Sequence, residues 1–273
     1  MKQALLASLA FLLAGAAAAQ TPAAMRAMQA YARANRLFEQ NQLPQSLAAL
    51  EEALAADPNN VPALTLKAKI AMGANRFDVA GECLERAVAA DPSSWYARFL
   101  YGFWYYLRDD WSRALAELNA AHKLNPRDAR SPLYLALTYE RLGDLQKAIA
   151  FSDEAVRLEE AAGKPGANSL LTSARLLQQA GRLADCGKVL NRALELYPNS
   201  RDVHYENGRL LLKKGDARGA AAAGEEALRM PPEDVTDLQV RYLLVRAYER
   251  AGEDRLAAQQ AAAIRAAEAA AGR

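Results

Sequence analysis

Five prolines set the frame of this chain. Pro58, Pro92 and Pro126 stand 34 residues apart, and Pro198 and Pro232 repeat the interval. A fixed period of this length marks a repeat array, in which one small unit recurs and stacks on its neighbours. The gap from Pro126 to Pro198 is 72 residues, two periods plus four. The turn-forming run Gly163-Lys164-Pro165-Gly166 accommodates the four. A three-residue excess falls near Pro232 to Asp237. Counted this way, seven units lie near residues 27–60, 61–94, 95–128, 129–162, 167–200, 201–234 and 238–271, with an insert at 163–166.

Each unit reads as two antiparallel helices. Asn60, Ser94, Asp128, Ser200 and Asp234 precede first helices and offer an oxygen to the unpaired amides of the opening turn. The breaks between helices fall at Asn41, Asn75, Asp109, Gly143, Gly181, Gly215 and Gly252, each followed by a polar residue. Gly and Asn end helices by adopting the left-handed conformation at little steric penalty. Second helices stop at the proline, which disfavours helix in the residue before it.

Small residues recur where helices must approach: Ala34, Ala68, Gly102, Ala136, Ala174 and Gly208 in first helices, facing Ser46, Ala80, Ala114, Ala148, Cys186, Ala220 and Ala257 in second helices. Val245 is the exception. A further set, Ala53, Ala87, Ala121, Ala155, Ala193 and Ala227, lies two turns on. Axes about 8–10 Å apart leave no room for larger side chains at a crossing.

With these residues the chain resembles the tetratricopeptide repeat family. Gly102, Tyr105, Ala114, Ala121 and Pro126 of the third unit stand at the family's spacing, as do Leu135-Ala136, Tyr139, Gly143-Asp144, Ala148 and Ala155 of the fourth. The departures are mild: no unit has the first-helix Trp, Glu160 replaces a proline, and the seventh unit lacks the terminal Pro. The resemblance implies an all-α, right-handed superhelical solenoid of about seven repeats, with first helices lining a concave groove that binds a peptide or protein.

The first twenty residues read differently. Lys2 precedes the apolar run from Ala4 to Ala14, and Ala17-Ala18-Ala19 follows. That is the pattern of a secretory signal peptide cleaved after Ala19, and it predicts an exported protein, in the periplasm of a Gram-negative bacterium or secreted, without stable membrane insertion after cleavage. Lys plus Arg number 34 against 32 Asp plus Glu, and removing Lys2 leaves 33 against 32. So small an excess supplies no general drive toward nucleic acid.

Nothing in the sequence converges for catalysis. His122 and His204 lie more than two periods apart, and no H-E-x-x-H, C-x-x-C or G-x-S-x-G occurs. Gly163-Lys164 lacks the earlier glycine of a phosphate loop, because Leu158 holds that place. Adjacent acids such as Glu51-Glu52 diverge by about 100° on a helix. Two cysteines on separate second helices, Cys83 and Cys186, make no disulfide framework. The expected protein is a non-enzyme that uses no cofactor and no metal.

Binding residues are sought on the groove stripe of the first helices. Nine of the twenty aromatics fall between Trp95 and Trp111, and Tyr96, Phe99, Phe103 and Tyr106 run along one side of the third unit's first helix. Tyr31, Asn35 and Lys69, beside Thr65, occupy the equivalent places toward the amino end. Leu133 and Leu137 do so in the middle. Arg175, Tyr205, Arg209, Tyr242 and Arg246, with Arg250, do so toward the carboxyl end. Aromatic and Arg side chains are frequent binding anchors, and Arg grips a carboxylate with two hydrogen bonds. The expectation is an extended protein or peptide segment along this stripe. Its apolar side chains would meet Phe99 and Phe103, and its acidic groups or terminal carboxylate would meet the arginines. On this reading, replacing Phe99 and Phe103 by Ala abolishes capture and leaves the helices intact. Two alternatives stay open: the aromatic patch as the seam of a homodimer that acts as a structural spacer, and an assembly factor of an envelope secretion, pilus or polysaccharide-export machine.

Overall fold

The computed structural model describes residues 22–271, so the signal segment read in residues 1–19 lies outside them. Fourteen α-helices and no strand occupy the described residues. They are α1 (Pro22–Glu39), α2 (Leu43–Ala56), α3 (Val61–Gly73), α4 (Phe77–Ala90), α5 (Trp95–Leu107), α6 (Trp111–Leu124), α7 (Arg130–Arg141), α8 (Leu145–Ala161), α9 (Ala167–Gln179), α10 (Leu183–Leu196), α11 (Arg201–Lys213), α12 (Ala217–Arg229), α13 (Asp237–Ala251) and α14 (Asp254–Ala271). The chain divides into two compact units between Tyr134 and Leu135. Each is a stack of helical hairpins, and seven hairpins account for the fourteen helices.

The hairpin turns are set by backbone conformation. Asn41, Asn75 and Asp109 in unit 1, and Gly143, Gly181, Gly215 and Gly252 in unit 2, all have φ between 55° and 87°. This left-handed residue stops the first helix and reverses the chain. Short polar side chains tolerate it and glycine adopts it freely. Second helices then restart on side-chain caps: Asp110, Asp144 and Asp216 accept from the amides of Arg113, Lys147 and Gly219.

First-helix caps follow the same chemistry at Asn60, Ser94 and Ser200, which accept from Ala63, Ala97 and Val203. Asp128 accepts instead from the amide of Arg130, the first residue of α7. Asp234 is not a cap. Thr236 takes that place for α13 in a reciprocal capping box with Gln239. The three-residue excess explains the shift, because residues 231–236 run as an irregular link before the helix begins. A buried polar node ties this link down. Arg201, 1% exposed, donates to the carbonyls of Ala227 and Val235 and pairs with Asp237. Asp202 accepts from the Val235 amide at 2.9 Å.

Where proline would end α8, Glu160 lets the helix run on to Ala161, seventeen residues in all. The insert that follows is anchored rather than loose. The Gly166 amide donates to the Glu159 carboxylate at 2.7 Å, the Tyr197 hydroxyl donates to the Pro165 carbonyl at 2.7 Å, and the Lys164 ammonium lies 4.0 Å from the centre of the Tyr197 ring.

Packing inside each hairpin depends on the small residues. Ala34, Ala68, Ala136, Ser46, Ala80, Ala114, Ala148, Cys186 and Ala220 are wholly enclosed, as are the alanines two turns on, Ala53, Ala87, Ala121, Ala155, Ala193 and Ala227. The Ser46 hydroxyl donates to the Ala34 carbonyl at 2.8 Å across one crossing. Both cysteines are free and buried, and burial pushes the Cys186 thiol up to about 11.

At Gly102 the approach of α5 to α6 is closest: a methyl group there would stand 2.7 Å from Leu118 Cγ and 3.0 Å from the Leu118 backbone nitrogen. Alanine gains about 1 kcal/mol in helix propensity, but forcing extra volume into a packed crossing costs about 1–3 kcal/mol. Gly102→Ala is therefore expected to lower the stability of unit 1 by about 1 kcal/mol. Urea unfolding followed by circular dichroism measures the change, and an unchanged or raised midpoint contradicts the crossing geometry.

Candidate functional site

The aromatic residues belong to unit 1. On α5 the rings of Tyr96, Phe99 and Phe103 stack in sequence, with centroids 6.4 and 6.5 Å apart. Tyr134, from the opening turn of α7, packs against Phe99, Phe103 and Tyr106 at 5.8, 4.7 and 5.6 Å. The Arg130 guanidinium lies over Trp95, Tyr96 and Phe99 while Asp128 holds it by a salt bridge at 2.8 Å. Other rings serve the interior: Trp104 donates to the Phe77 carbonyl at 2.7 Å, and the Tyr101 and Tyr105 hydroxyls meet at 2.9 Å.

These contacts correct one expectation. Phe99 is 5% exposed and closed in by Tyr96, Phe103, Tyr134 and Arg130, so it supports the wall from behind and offers no contact of its own. Tyr96, Phe103, Tyr106 and Tyr134 are half-buried and form the accessible part. Tyr134 went unrecognised in the sequence because its ring packs on the preceding hairpin, whereas Leu133 and Leu137 were read as the groove places. Thr65 is buried, its hydroxyl donating to the Pro62 carbonyl. Asn35 donates to Glu39 at 2.8 Å on its own helix, and the Lys69 ammonium sits 4.7 Å from the centre of the Phe38 ring. Burial, followed by the neighbouring Tyr96, pushes the Tyr31 hydroxyl above its ordinary range.

Unit 2 builds a different surface. The first helices α9, α11 and α13 line a cavity of about 440 Å³ through Gln178, Tyr205, Arg209, Tyr242, Arg246 and Arg250, among others. A second hollow of about 350 Å³, lined by Glu140, Arg175 and Gln179, shares Gln178, Arg209 and Lys213 with it. Five expected residues, Tyr205, Arg209, Tyr242, Arg246 and Arg250, thus meet in one cavity, and Arg175 stands in the adjoining one. Gln178, Lys213 and Arg250 lie three or four residues beyond Arg175, Arg209 and Arg246, one helical turn along the same stripe. That spacing was the available signal, and for Gln178 and Lys213 it was missed.

Two of the five cations act as braces. The Lys213 ammonium donates to the Gln178 carbonyl at 2.8 Å, and Arg250 donates to the Leu212 carbonyl at 3.1 Å. Both acceptors lie in the last turns of first helices, where they also accept from the turn amides of Gly181 and Gly215 and attract positive charge. Arg209 meets both oxygens of Glu206 at 2.8 and 2.9 Å. No carboxylate stands within salt-bridge distance of Arg175 or Arg246 among the described residues. Gln178 is 4% exposed, and its side-chain amide has no hydrogen-bonding partner among the described residues. It borders both hollows. Tyr242, 46% exposed, donates to Glu268 at 2.9 Å at the rim.

The guanidinium groups lining these hollows suit an anion in charge and in shape. The described residues contain no group of three or more metal-ligating side chains, and no helix among them is long and apolar enough to cross a membrane.

Family models place this geometry. Two models of the tetratricopeptide repeat match residues 37–100 and 171–235, and the model of anaphase-promoting complex, cyclosome, subunit 3 matches residues 73–155. The chain belongs to the tetratricopeptide repeat family. Solved structures share this repeat fold at low identity. The Cut9–Hcn1 hetero-tetramer of the APC/C matches with a TM-score of 0.69 and 18% identity over 87% of this chain, which spans 45% of the matched chain. PilW, a type IV pilus biogenesis factor, matches with a TM-score of 0.68 and 18% identity over 77% of this chain and 93% of its own. YrrB, a tetratricopeptide repeat protein with an unusual peptide-binding site, matches at 0.55 and 16% identity over 71% and 96%. No curated protein matches the chain in sequence.

The burial of Phe99 reverses the expectation for its removal. Truncating a buried phenylalanine costs about 3–5 kcal/mol, so Phe99→Ala is expected to destabilise unit 1 by an amount on that order, and Phe103→Ala, at the half-buried edge, by less. Denaturant titration of the two single variants checks the order. Equal and small losses would return Phe99 to the accessible surface.

Proposed function

We propose that this tetratricopeptide repeat protein is an exported, non-catalytic scaffold that binds a protein or peptide segment, and that unit 2 grips a carboxylate of that segment between Arg175 and Arg246. The observation that carries this reading is the convergence of five cations, two tyrosines and the unpartnered amide of Gln178 on the faces of three successive first helices. Arginine forks match a carboxylate in shape as well as in charge. The open, extended form of a repeat stack suits a segment of chain more than a small substrate, which needs an enclosing pocket. YrrB carries a peptide-binding site on the same fold. Export rests on the signal pattern in residues 1–19. The half-buried rings of Tyr96, Phe103 and Tyr106 in unit 1 offer a second, apolar contact surface, and Tyr31, Asn35 and Lys69 belong to the same unit.

Peptides with random sequences and free carboxyl termini, tested beside the same peptides amidated, provide the check. Wild-type protein is expected to select acidic or free-carboxyl peptides, with affinity that falls as salt rises. Arg175→Ala or Arg246→Ala is expected to weaken binding on the order of tenfold, the effect of losing one charge-assisted contact. Equal affinity for amidated and neutral peptides overturns the assignment.

A further inference from the structure

The basic cavity has a counter-anion buried behind its wall. Glu206, on α11, is 6% exposed, and both of its oxygens accept from the Arg209 guanidinium at 2.8 and 2.9 Å. Arg209 is also the one arginine that lines both hollows of unit 2. A ligand anion entering either hollow meets a cation already neutralised from behind by a buried carboxylate.

We propose that Glu206 is a proton-linked gate on this cavity: an incoming anion and the Glu206 carboxylate compete for Arg209, so anion binding draws a proton onto Glu206 and tightens as pH falls. The inference rests on the anion-binding reading of unit 2 and adds its regulation. Two negative charges on one guanidinium in a half-buried site repel each other, and protonation of the enclosed one relieves the repulsion. The proton goes to Glu206 because a ligand at the mouth keeps its hydration while Glu206 has little.

The groups facing Glu206 agree with this. Burial pushes its carboxyl above the ordinary glutamate range, Arg209 and then Arg175 from α9 pull it back, and Asp202 on its own helix raises it further. Tyr205 stands beside it, under the influence of Arg209 and of Arg246 from α13. From α10 the Cys186 thiol feels the Glu206 charge and those of Lys213 and Lys214. On α12 the acids Glu225 and Glu226 are taken up by Arg229. A carboxyl already raised by burial in the empty site, and driven higher by a bound anion, takes up a proton as the anion binds. Linkage requires the reciprocal effect: whatever raises the pKa on binding must raise affinity on acidification by the same factor.

The test uses inorganic sulfate, which keeps its charge across the range, titrated into full-length protein between pH 8 and pH 5 at fixed ionic strength, with amide chemical shifts as the readout. Wild-type protein is expected to bind sulfate about tenfold more tightly at the acid end, the change that one unit of pKa coupling produces. Glu206→Gln, which keeps a hydrogen-bond acceptor for Arg209, is expected to bind at pH 8 as tightly as wild type does at pH 5, with no remaining pH dependence. His204 stands two residues before Glu206, with a ring nitrogen 2.8 Å from the Pro198 carbonyl, and His204→Gln is expected to retain the wild-type slope. Calorimetry of the wild type in two buffers of different ionisation heat counts protons directly and needs no variant. Proton uptake near zero, or a slope that survives in Glu206→Gln, overturns the gate while leaving the anion site standing. Absence of sulfate binding at every pH overturns the anion site and the gate together.

Discussion

Two helices joined by a turn of a few residues cross close to that turn, and the room at the crossing is set by the side chains that meet there. In this protein they are alanine, glycine, serine or cysteine, with Val245 the exception, and nearly all are wholly enclosed. The other features of both units follow from that closeness. Leucines such as Leu50, Leu84, Leu118 and Leu190 fill the space beside each crossing. The left-handed turn residue can reverse the chain without a longer loop. With the apolar faces used between helices, the outer stripes of the first helices remain for other purposes. A larger side chain at one crossing would separate that pair and disturb the neighbours stacked on it.

This is why the fold was legible and the site only partly so. The crossing residues, turn residues and caps repeat with the period, so each unit reinforces the reading of the next. Even Asp109, a residue less common in a left-handed turn than glycine, was identified by its place in the series. The misreadings came where the period was broken. Asp234 stood in the expected cap position, yet the three-residue excess moved the cap to Thr236, and the compensating polar node around Arg201 and Asp202 has no counterpart in the other units to reveal it.

Site residues carry no such redundancy. A helical stripe tells which side of a helix a residue occupies, but not what the next hairpin places over it. Phe99 was assigned to the accessible wall because it shares one stripe of α5 with Tyr96 and Phe103, which flank its ring without closing it off. Its cover comes from Tyr134 and Arg130, about one repeat later in the chain. The same blindness hid Gln178, a neutral residue whose significance lies in its enclosure, and Glu206, which was not distinguished from acids on solvated faces. The arginines were easier to find, because Arg175, Arg209 and Arg246 occupy corresponding positions on successive first helices.

The braces formed by Lys213 and Arg250 have a consequence for selectivity. Each adds a hydrogen bond to a carbonyl at the end of the neighbouring first helix that also accepts from a turn amide, Gly181 or Gly215, so on the proposed reading a bulky polyanion that pulls either away gives up that bond and loses part of its binding energy in doing so. A ligand content with Arg175 and Arg246 avoids that loss. If the proposed anion site holds, the wall would discriminate by the footprint of negative charge as well as by its amount, favouring a compact anionic group over a long acidic tract.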